Sequence, residues 1–270
     1  MYKRQILART AGAQAVTLFT LGISFSQYFM TASTAISGVI APKIMQMVAL
    51  DSTKEQLTRM MIRVGRLQLA LLSVILVSFI SCGHDFLHLW VGKTIGDQTG
   101  TVWVGAVIVL LPLLVPLTQN TGLAILQALN IHKGRAIILF YSSLLCVILG
   151  YFISLYYGTI GMFIGTAISL FIGQVLMINR YYARTAGLDM RRFFRRTYGP
   201  LLLPSAVMIL AGLGAVALLT LDNWFSFLAF AFCYGLLAVG TIWFFYLNRD
   251  ERDMFLGPLQ KLIPSRHDKN

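Results

Sequence analysis

Polar residues that could line a path for a polar solute recur along the first apolar stretch of the chain. Steps of three or four positions separate them, so they form one stripe down a helix. The stripe consists of Gln14, Thr17, Thr20, Ser24, Gln27, Thr31 and Thr34. Because lipid penalises polar side chains that face neither a cavity nor a neighbour, we predict a water-lined cavity beside this helix. A packing seam is the alternative, since small hydroxyl residues let helices approach closely and can bond their own backbone.

A second polar cluster follows two prolines in the third apolar stretch. Pro112 and Pro116 stand four positions apart, and each removes one hydrogen bond from a helix. We therefore predict a kinked helix with exposed carbonyl groups. Gln119, Asn120 and Gln127 come after the kinks and are predicted to join the cavity lining.

Residues for covalent or metal chemistry are sparse. The acidic residues lie between the apolar stretches, so no carboxylate pair is predicted for acid–base work. His84 and His88 have the spacing of two metal ligands on one helical face, but no third ligand accompanies them, which favours an interfacial role. The cysteines, at positions 82, 146 and 233, lie in or beside apolar stretches and indicate no disulfide framework. We therefore expect no enzyme active site, no metal and no cofactor.

The elements that must position these residues follow from the composition. The chain has 270 residues, of which 57% are hydrophobic and 12% are charged, with a mean hydropathy of +0.73. A soluble domain carries about 25% charged residues, so a soluble enzyme is excluded. Disorder is excluded as well, because it requires low hydrophobicity. Windows without charged residues or histidine cover 10–42, 67–83, 98–131, 136–179, 197–221 and 223–248.

These windows predict an all-α, polytopic membrane bundle. The window 136–179 contains a turn-prone segment at 156–159, which splits it into two helices and raises the count to about seven transmembrane helices. Residues 1–180 would hold a first group of spans, at about 16–41, 64–82, 101–126, 136–156 and 160–178. A basic cytoplasmic loop at 181–199, two peripheral C-terminal helices within 200–247 and a cytoplasmic tail at 248–270 would follow.

Charge predicts the orientation of this bundle. The chain has 22 Lys and Arg and 10 Asp and Glu. Of the Lys and Arg residues, 18 lie in every second connection between the predicted spans and in the C-terminal tail. The positive-inside rule puts that side and the C-terminus in the cytoplasm. The basic run 191–196 could suggest nucleic acid, but a basic cluster directly before a span is what anionic inner-leaflet lipid attracts. The predicted partners are therefore membrane lipids and not nucleic acid.

The N-terminal residues do not fit this orientation. Seven spans and a cytoplasmic C-terminus place residues 1–9 outside, yet these residues include Lys3, Arg4 and Arg9 and no acid. We therefore expect the chain to begin inside a larger transporter.

Several segments, in their order and spacing, resemble the Wzx-type oligosaccharide flippases of the multidrug/oligosaccharidyl-lipid/polysaccharide exporter superfamily. The first is the end of the polar span, SGVIAPKI at 37–44, followed by the acid–base linker at 51–66. The others are FLHLWVG at 86–92, QALNIHK at 127–133 and YGTIGMFIGTA at 157–167. The resemblance covers nearly the whole chain.

The resemblance implies a two-lobe transporter of about 12 to 14 helices, with this chain supplying most of the second lobe and two additional C-terminal helices. Such transporters use alternating access to flip a polyprenyl-diphosphate-linked oligosaccharide across the bacterial cytoplasmic (inner) membrane for polysaccharide biosynthesis and export. The implied partners are this lipid-linked oligosaccharide and other polysaccharide-assembly proteins. Buried Arg or Lys often binds the diphosphate in the family. The apolar interiors here contain none, so the cationic site is expected at Arg9, at the cytoplasmic mouth around Lys43 or in the other lobe.

Two other functions stay open. A multidrug exporter of the same superfamily would share the architecture, and a membrane-embedded Asp or Glu in the other lobe would favour it. A membrane glycan polymerase or ligase normally needs large outer loops. The longest predicted outer loop, at 83–100, is too short for a catalytic domain.

Overall fold

The computed structural model describes residues 2–219, 221, 223–248 and 251–252, without the side chains of residues 2–4, 6 and 8–11. Every regular element in these ranges is helical, which confirms the all-α prediction. The α-helices are α1 (Tyr2–Ala49), α2 (Lys54–Ile95), α3 (Thr99–Thr118), α4 (Asn120–Ala128), α5 (Lys133–Leu170), α6 (Ile178–Tyr181), α7 (Met190–Thr197), α8 (Gly199–Leu218) and α9 (Trp224–Phe245). A short 3₁₀ helix (Gly96–Gln98) precedes α3, and π-helical turns (Phe171–Met177 and Tyr182–Ala186) flank α6.

Helices α2 and α3 form an antiparallel pair. Helix α2 begins with a capping box, in which Thr53 and Gln56 each bond the other's backbone N–H. It ends at Gly96, whose φ of 54° reverses the chain. Trp103 of α3 then donates to the Phe79 carbonyl of α2 at 3.0 Å, so the two helices lie side by side.

Helix α5 is also a hairpin. Gly158 interrupts it with φ 56° and ψ −133°, inside the segment 156–159 where the sequence indicates a turn. Ser142 and Ser169, on opposite sides of this break, each donate a hydroxyl hydrogen bond to the other's carbonyl, at 3.0 and 2.5 Å. The two halves of α5 therefore run antiparallel and in close contact.

Four helical segments of the described chain are long and apolar enough to cross a membrane, which supports the prediction of a membrane protein. They are Lys54–Thr118, Lys133–Ala186, Met190–Leu218 and Trp224–Phe245. Helix α1 is not among them, because its polar residues lower its hydropathy. The count of seven spans includes α1 and stays a prediction.

Helix α1 packs through one face against α2, α3 and the second half of α5. Phe163 of α5 lies against Gly22 of α1 and Gly105 of α3, and a β-carbon at either glycine would overlap its ring. Phe25 of α1 packs on Phe79 of α2, with ring centroids 4.6 Å apart. These contacts place α1 at the edge of the bundle with its other face uncovered.

Helices α8 and α9 lie against α2 and leave most of their surface open. Among the described side chains, those of α8 are buried only at Leu201 and Gly212. Ser81 of α2 meets the Tyr234 hydroxyl of α9 at 3.0 Å, and Tyr234 in turn donates to the Met208 carbonyl of α8 at 2.6 Å. The outward sides of both helices are apolar.

Basic segments that are far apart in sequence meet at one end of the bundle. Arg66 of α2 donates to the Arg196 carbonyl of α7 at 2.8 Å, and Arg192 of α7 lies 3.3 Å from the Glu55 carboxylate at the start of α2. The segment 181–199, predicted as a loop, is mostly helical. Asp189 caps the N-terminus of α7 by accepting from the Arg192 N–H at 2.8 Å.

Candidate polar face and buried polar network

The predicted polar stripe lies on the uncovered face of α1. Gln14, Thr17, Gln27, Thr31 and Thr34 are exposed, whereas Thr20 and Ser24 are half-buried. The covered side of the same helix carries a different set of residues, which includes Ala15, Leu18, Phe19, Phe29 and Ser33. Most of the stripe therefore lies on the side of α1 that the other described helices leave uncovered. We call it the open polar face.

The hydroxyl groups on the open polar face donate to their own helix. Ser24 donates to the Thr20 carbonyl at 2.7 Å, Thr31 to the Gln27 carbonyl at 3.0 Å and Thr34 to the Met30 carbonyl at 2.9 Å. This backbone bonding is the behaviour that a packing seam would also show. Because the hydroxyl protons are engaged, these oxygens present mainly acceptor capacity outward.

The amides of the open polar face supply the donors. Gln14 and Gln27 are exposed, and neither side-chain amide makes a hydrogen bond with another described residue. A primary amide offers two donor positions and one acceptor oxygen. The face therefore presents both donors and acceptors to whatever lies beside α1.

Other outward surfaces of the bundle have a different character. Phe140 and Phe152 on the first half of α5 are 67% and 58% exposed, and Leu203 on α8 and Phe232 on α9 are 75% and 68% exposed. Such surfaces suit hydrocarbon, whereas exposed amides do not. The open polar face is thus chemically distinct from the apolar sides of the bundle.

The helix break beyond the prolines lies at Gln119. Helix α3 ends at Thr118 and α4 begins at Asn120, with Gln119 at φ −108° and ψ 17° between them. Carbonyl groups near the break accept side-chain hydrogen bonds. Leu117 accepts from Ser33 at 2.7 Å, and Val115 accepts from Thr118 at 3.0 Å. Pro112 and Pro116 lie inside α3, just before this break.

Ser33 is the centre of a buried polar network that the sequence analysis did not identify. Its hydroxyl donates to Leu117 and accepts from the amides of Gln68 at 3.2 Å and Asn120 at 2.9 Å. Gln68 also donates to the Ser33 carbonyl at 3.0 Å. Ser33 and Gln68 are both completely buried. In the sequence, the signal for Gln68 is the position of its polar amide within the uncharged window 67–83, where a buried partner is needed.

The three polar residues after the prolines go to three different places. Asn120 faces the covered side of α1 through Ser33. Gln119 is 1% exposed and donates to Asn179 of α6 at 2.8 Å. Gln127 is exposed near the end of α4. The structure therefore directs Gln119 and Asn120 away from the open polar face. The side-chain oxygens of Gln68 and Gln119 have no hydrogen-bond partner among the described residues.

One buried cation lies just before an apolar window. Arg66 is 6% exposed inside α2, where it binds the 4%-exposed carboxylate of Glu251. It is the last residue of the acid–base linker at 51–66 and is covered by α7 and the segment after α9. The predicted span at 64–82 thus contains a buried Arg at its polar end, although the uncharged window 67–83 holds none. Lys43 is exposed near the end of α1. Arg9 lies within α1, but its side chain is outside the described part.

The charges around Glu55 form an exposed pair of ion contacts at the start of α2. Hydrogen bonds from Arg192 and then from Arg59 lower the pKa of the Glu55 carboxyl group. Glu55 is solvated and precedes the predicted span at 64–82, so these contacts contribute little to stability.

The described residues contain no group of three metal-ligating side chains. His84 lies 3.6 Å from Asp85 and packs edge-on against Trp103. Cys82 and Cys146 are buried and Cys233 is exposed, and all three are free thiols.

Comparison with known proteins gave no match among protein-family models, curated proteins or solved structures.

Proposed function

We propose that this chain is part of a transporter that flips a polyprenyl-diphosphate-linked oligosaccharide across the bacterial cytoplasmic membrane by alternating access. The observation that carries the proposal is the open polar face of α1, with the uncommitted amides of Gln14 and Gln27. The sequence resemblance supplies the cargo class. No covalent step is part of this activity.

A polar face of this composition suits a carbohydrate. A hydroxyl group that loses its hydrogen bonds in an apolar medium costs roughly 2–7 kcal/mol, and an oligosaccharide carries many hydroxyl groups. The hydroxyl oxygens of Thr31 and Thr34 can accept from sugar hydroxyls, and the Gln27 amide can donate to them or accept from them. The prenyl chain of the cargo would stay in the bilayer beside the apolar outer surfaces.

The topology belongs to the same proposal. Two of the four apolar segments reverse direction, at Gly96 and Gly158, so these four segments and α1 together can make seven crossings. The end that holds Arg66, Arg192 and Arg196 would lie in the cytoplasm by the positive-inside rule. In the two-lobe arrangement that the resemblance implies, the open polar face would border the space between the lobes.

Lys43 and Arg9 would serve the diphosphate at the two ends of α1. Lys43 is exposed at the end of α1 where the basic segments meet, so it can reach an anion at that mouth. Arg9 belongs to the opposite end of α1, before the break in the helix at Gly12 (φ 85°, ψ 175°). Neither residue has to enter the apolar interior for this role.

The identity of the transported molecule distinguishes this function from that of a multidrug exporter. In a strain that lacks the gene, we expect lipid-linked oligosaccharide to accumulate in the inner leaflet and surface polysaccharide to be lost. Both defects should be reversed by the wild-type gene. Normal surface polysaccharide together with hypersensitivity to cationic drugs would instead identify a drug exporter. Flipping of a labelled lipid-linked oligosaccharide in proteoliposomes would separate transport from an enzyme, because a polymerase would lengthen the glycan and a ligase would transfer it to another acceptor, whereas a flippase leaves the molecule unchanged.

A further inference from the structure

A cationic cleft of about 590 Å³ opens at the basic end of the bundle, between α2, α7, the start of α8 and the segment after α9. Among the described residues, its charged lining consists of Arg59, Arg63, Arg66, Arg195, Arg196 and Glu251. In this part of the chain, five guanidinium groups therefore line the cleft together with one carboxylate. We call this site the arginine cleft.

Glu251, the carboxylate among the described lining residues of the arginine cleft, is fully engaged. One oxygen of Glu251 accepts from Arg66 Nε at 2.6 Å, and the other accepts from Arg66 Nη2 at 3.0 Å and from the Asn248 N–H at 2.9 Å. Glu251 thus neutralises Arg66, and it makes no hydrogen bond or ion pair with Arg195 or Arg196 of α7.

Arg195 and Arg196 present their charge to the cleft from α7. Both side chains are exposed, and neither guanidinium makes a hydrogen bond or ion pair with another described residue. The backbone beneath them is fixed, because the Arg196 carbonyl accepts from Arg66 Nη1 at 2.8 Å. Two adjacent arginines on a held backbone can bind phosphate oxygens through charge-assisted, bidentate hydrogen bonds.

The position of the cleft favours a lipid as the source of that phosphate. Ile62 and Pro200 line it, and both stand at the polar ends of apolar helical stretches. Leu202 and Leu203 continue from Pro200 along α8 and are 69% and 75% exposed. An acyl chain can follow these leucines while the headgroup stays among the arginines, whereas a soluble phosphate gains nothing from an apolar wall.

We propose that the arginine cleft binds the phosphate headgroup of an anionic membrane lipid. Charge complementarity and the adjoining apolar wall both select this ligand over a zwitterionic lipid. The inference requires that the bundle lies in a bilayer and does not depend on the transported cargo.

The test compares two double variants with the same change in charge. Arg195→Gln with Arg196→Gln removes the two cleft arginines of α7. Arg180→Gln with Arg184→Gln is the matched control, since both residues are exposed, lie at the same end of the bundle and line a different cleft. Binding of phosphatidylglycerol and phosphatidylcholine to the purified protein in neutral detergent is measured by native mass spectrometry.

We expect the cleft variant to bind phosphatidylglycerol about tenfold more weakly than the control variant, which should stay near the wild type. Phosphatidylcholine binding should be weak in all three proteins. Equal losses in the two double variants, or no loss in the cleft variant, would overturn the proposal. Inorganic phosphate and pyrophosphate form a separate arm. Either one displacing phosphatidylglycerol at an equal concentration would identify a soluble anion as the ligand and reject the lipid.

A charge-preserving variant checks that lost binding does not reflect lost structure. Arg195→Lys with Arg196→Lys keeps both charges and should retain more phosphatidylglycerol binding than the glutamine pair, although less than the wild type, because lysine cannot bind bidentately. All variants should melt at the wild-type temperature in lipid-free detergent. If the lysine pair binds no better than the glutamine pair, the arginines do not act through their charge and the proposal is wrong.

Discussion

Arg66 and Glu251, which are 185 positions apart in the chain, form a buried two-point ion pair with N–O distances of 2.6 and 3.0 Å. The same guanidinium donates to the Arg196 and Tyr246 carbonyls and lies 4.4 Å from the centre of the Tyr246 ring. One side chain thus joins α2, the end of α7, the end of α9 and the segment that follows it. The ion pair holds α9 against the basic end of the bundle.

Breaking this pair from one side should be costly. We expect Glu251→Gln to destabilise the protein by about 3–5 kcal/mol, because it leaves the Arg66 charge buried without a counter-charge. Replacing both residues, as Arg66→Met with Glu251→Gln, should cost less than Glu251→Gln alone. Denaturation in detergent micelles measures both values. If the double variant lost as much stability as Glu251→Gln and Arg66→Met alone lose together, the two residues would not be coupled.

Ser33 and Thr34 are adjacent in the sequence, but we expect their substitution to change the stability of the protein by very different amounts. Ser33→Ala removes the donor to Leu117 and the acceptor for Gln68 and Asn120, so we expect a loss of roughly 1–3 kcal/mol. Thr34→Ala is the matched control, since its hydroxyl is exposed and bonds only its own helix, and it should change stability by less than about 0.5 kcal/mol. Thermal melts of the two variants decide the matter. Equal effects would exclude Ser33 as the centre of a network.

Gly158 should resist substitution because of its backbone conformation. Its φ of 56° is unfavourable for a side chain, so Gly158→Ala should destabilise the α5 hairpin by about 1–3 kcal/mol. Gly235→Ala in α9 is the control, because a β-carbon there meets nothing within 4 Å and the residue is helical. That change should be neutral or stabilising. The ordering of the two melting temperatures tests the prediction.

The orientation of the bundle can be tested by thiol labelling. In a protein without its native cysteines, Arg184→Cys should be shielded from an impermeant thiol reagent in intact cells, whereas Lys93→Cys should be labelled. Both positions are exposed, so accessibility within the fold does not limit either reaction. Permeabilised cells provide the control and should allow both sites to react. The reverse pattern in intact cells would invert the proposed topology.

The sequence predicts the local features of this bundle better than it predicts the contacts between its helices. The uncharged windows and the segment 156–159 predict helices and the region of the Gly158 turn, because both depend on neighbouring residues. The spacing from Gln14 to Thr34 also predicts a shared face. Periodicity does not say which face the other helices cover, so it could not separate exposed Thr34 from buried Ser33.

Contacts between distant segments are outside the reach of such patterns. Gln119 and Asn120 are adjacent, yet they bond Asn179 and Ser33, because the α3–α4 break turns their side chains toward different helices. Arg66 is the last residue of the charged linker at 51–66 and is nevertheless buried, because α7 and Glu251 cover it. The three-dimensional neighbours of each residue, and not its own type, decide these outcomes.

The open polar face makes the most direct prediction about transport. In the protein with its full transport activity, the triple variant Gln27→Leu, Thr31→Val and Thr34→Val replaces an exposed amide and two exposed hydroxyls with apolar groups of similar size. Because these side chains contact no other described helix through hydrogen bonds, stability should change by less than about 1 kcal/mol. Glycan export per folded molecule should fall at least tenfold, since the cargo hydroxyls would meet a wall without donors or acceptors.

The control is Gln46→Leu, which removes an exposed amide of α1 outside the predicted span at 16–41 and should leave export unchanged. If the triple variant melts much earlier and exports normally per folded molecule, α1 packs against a neighbour through this face, and the stripe is a seam instead of a substrate path.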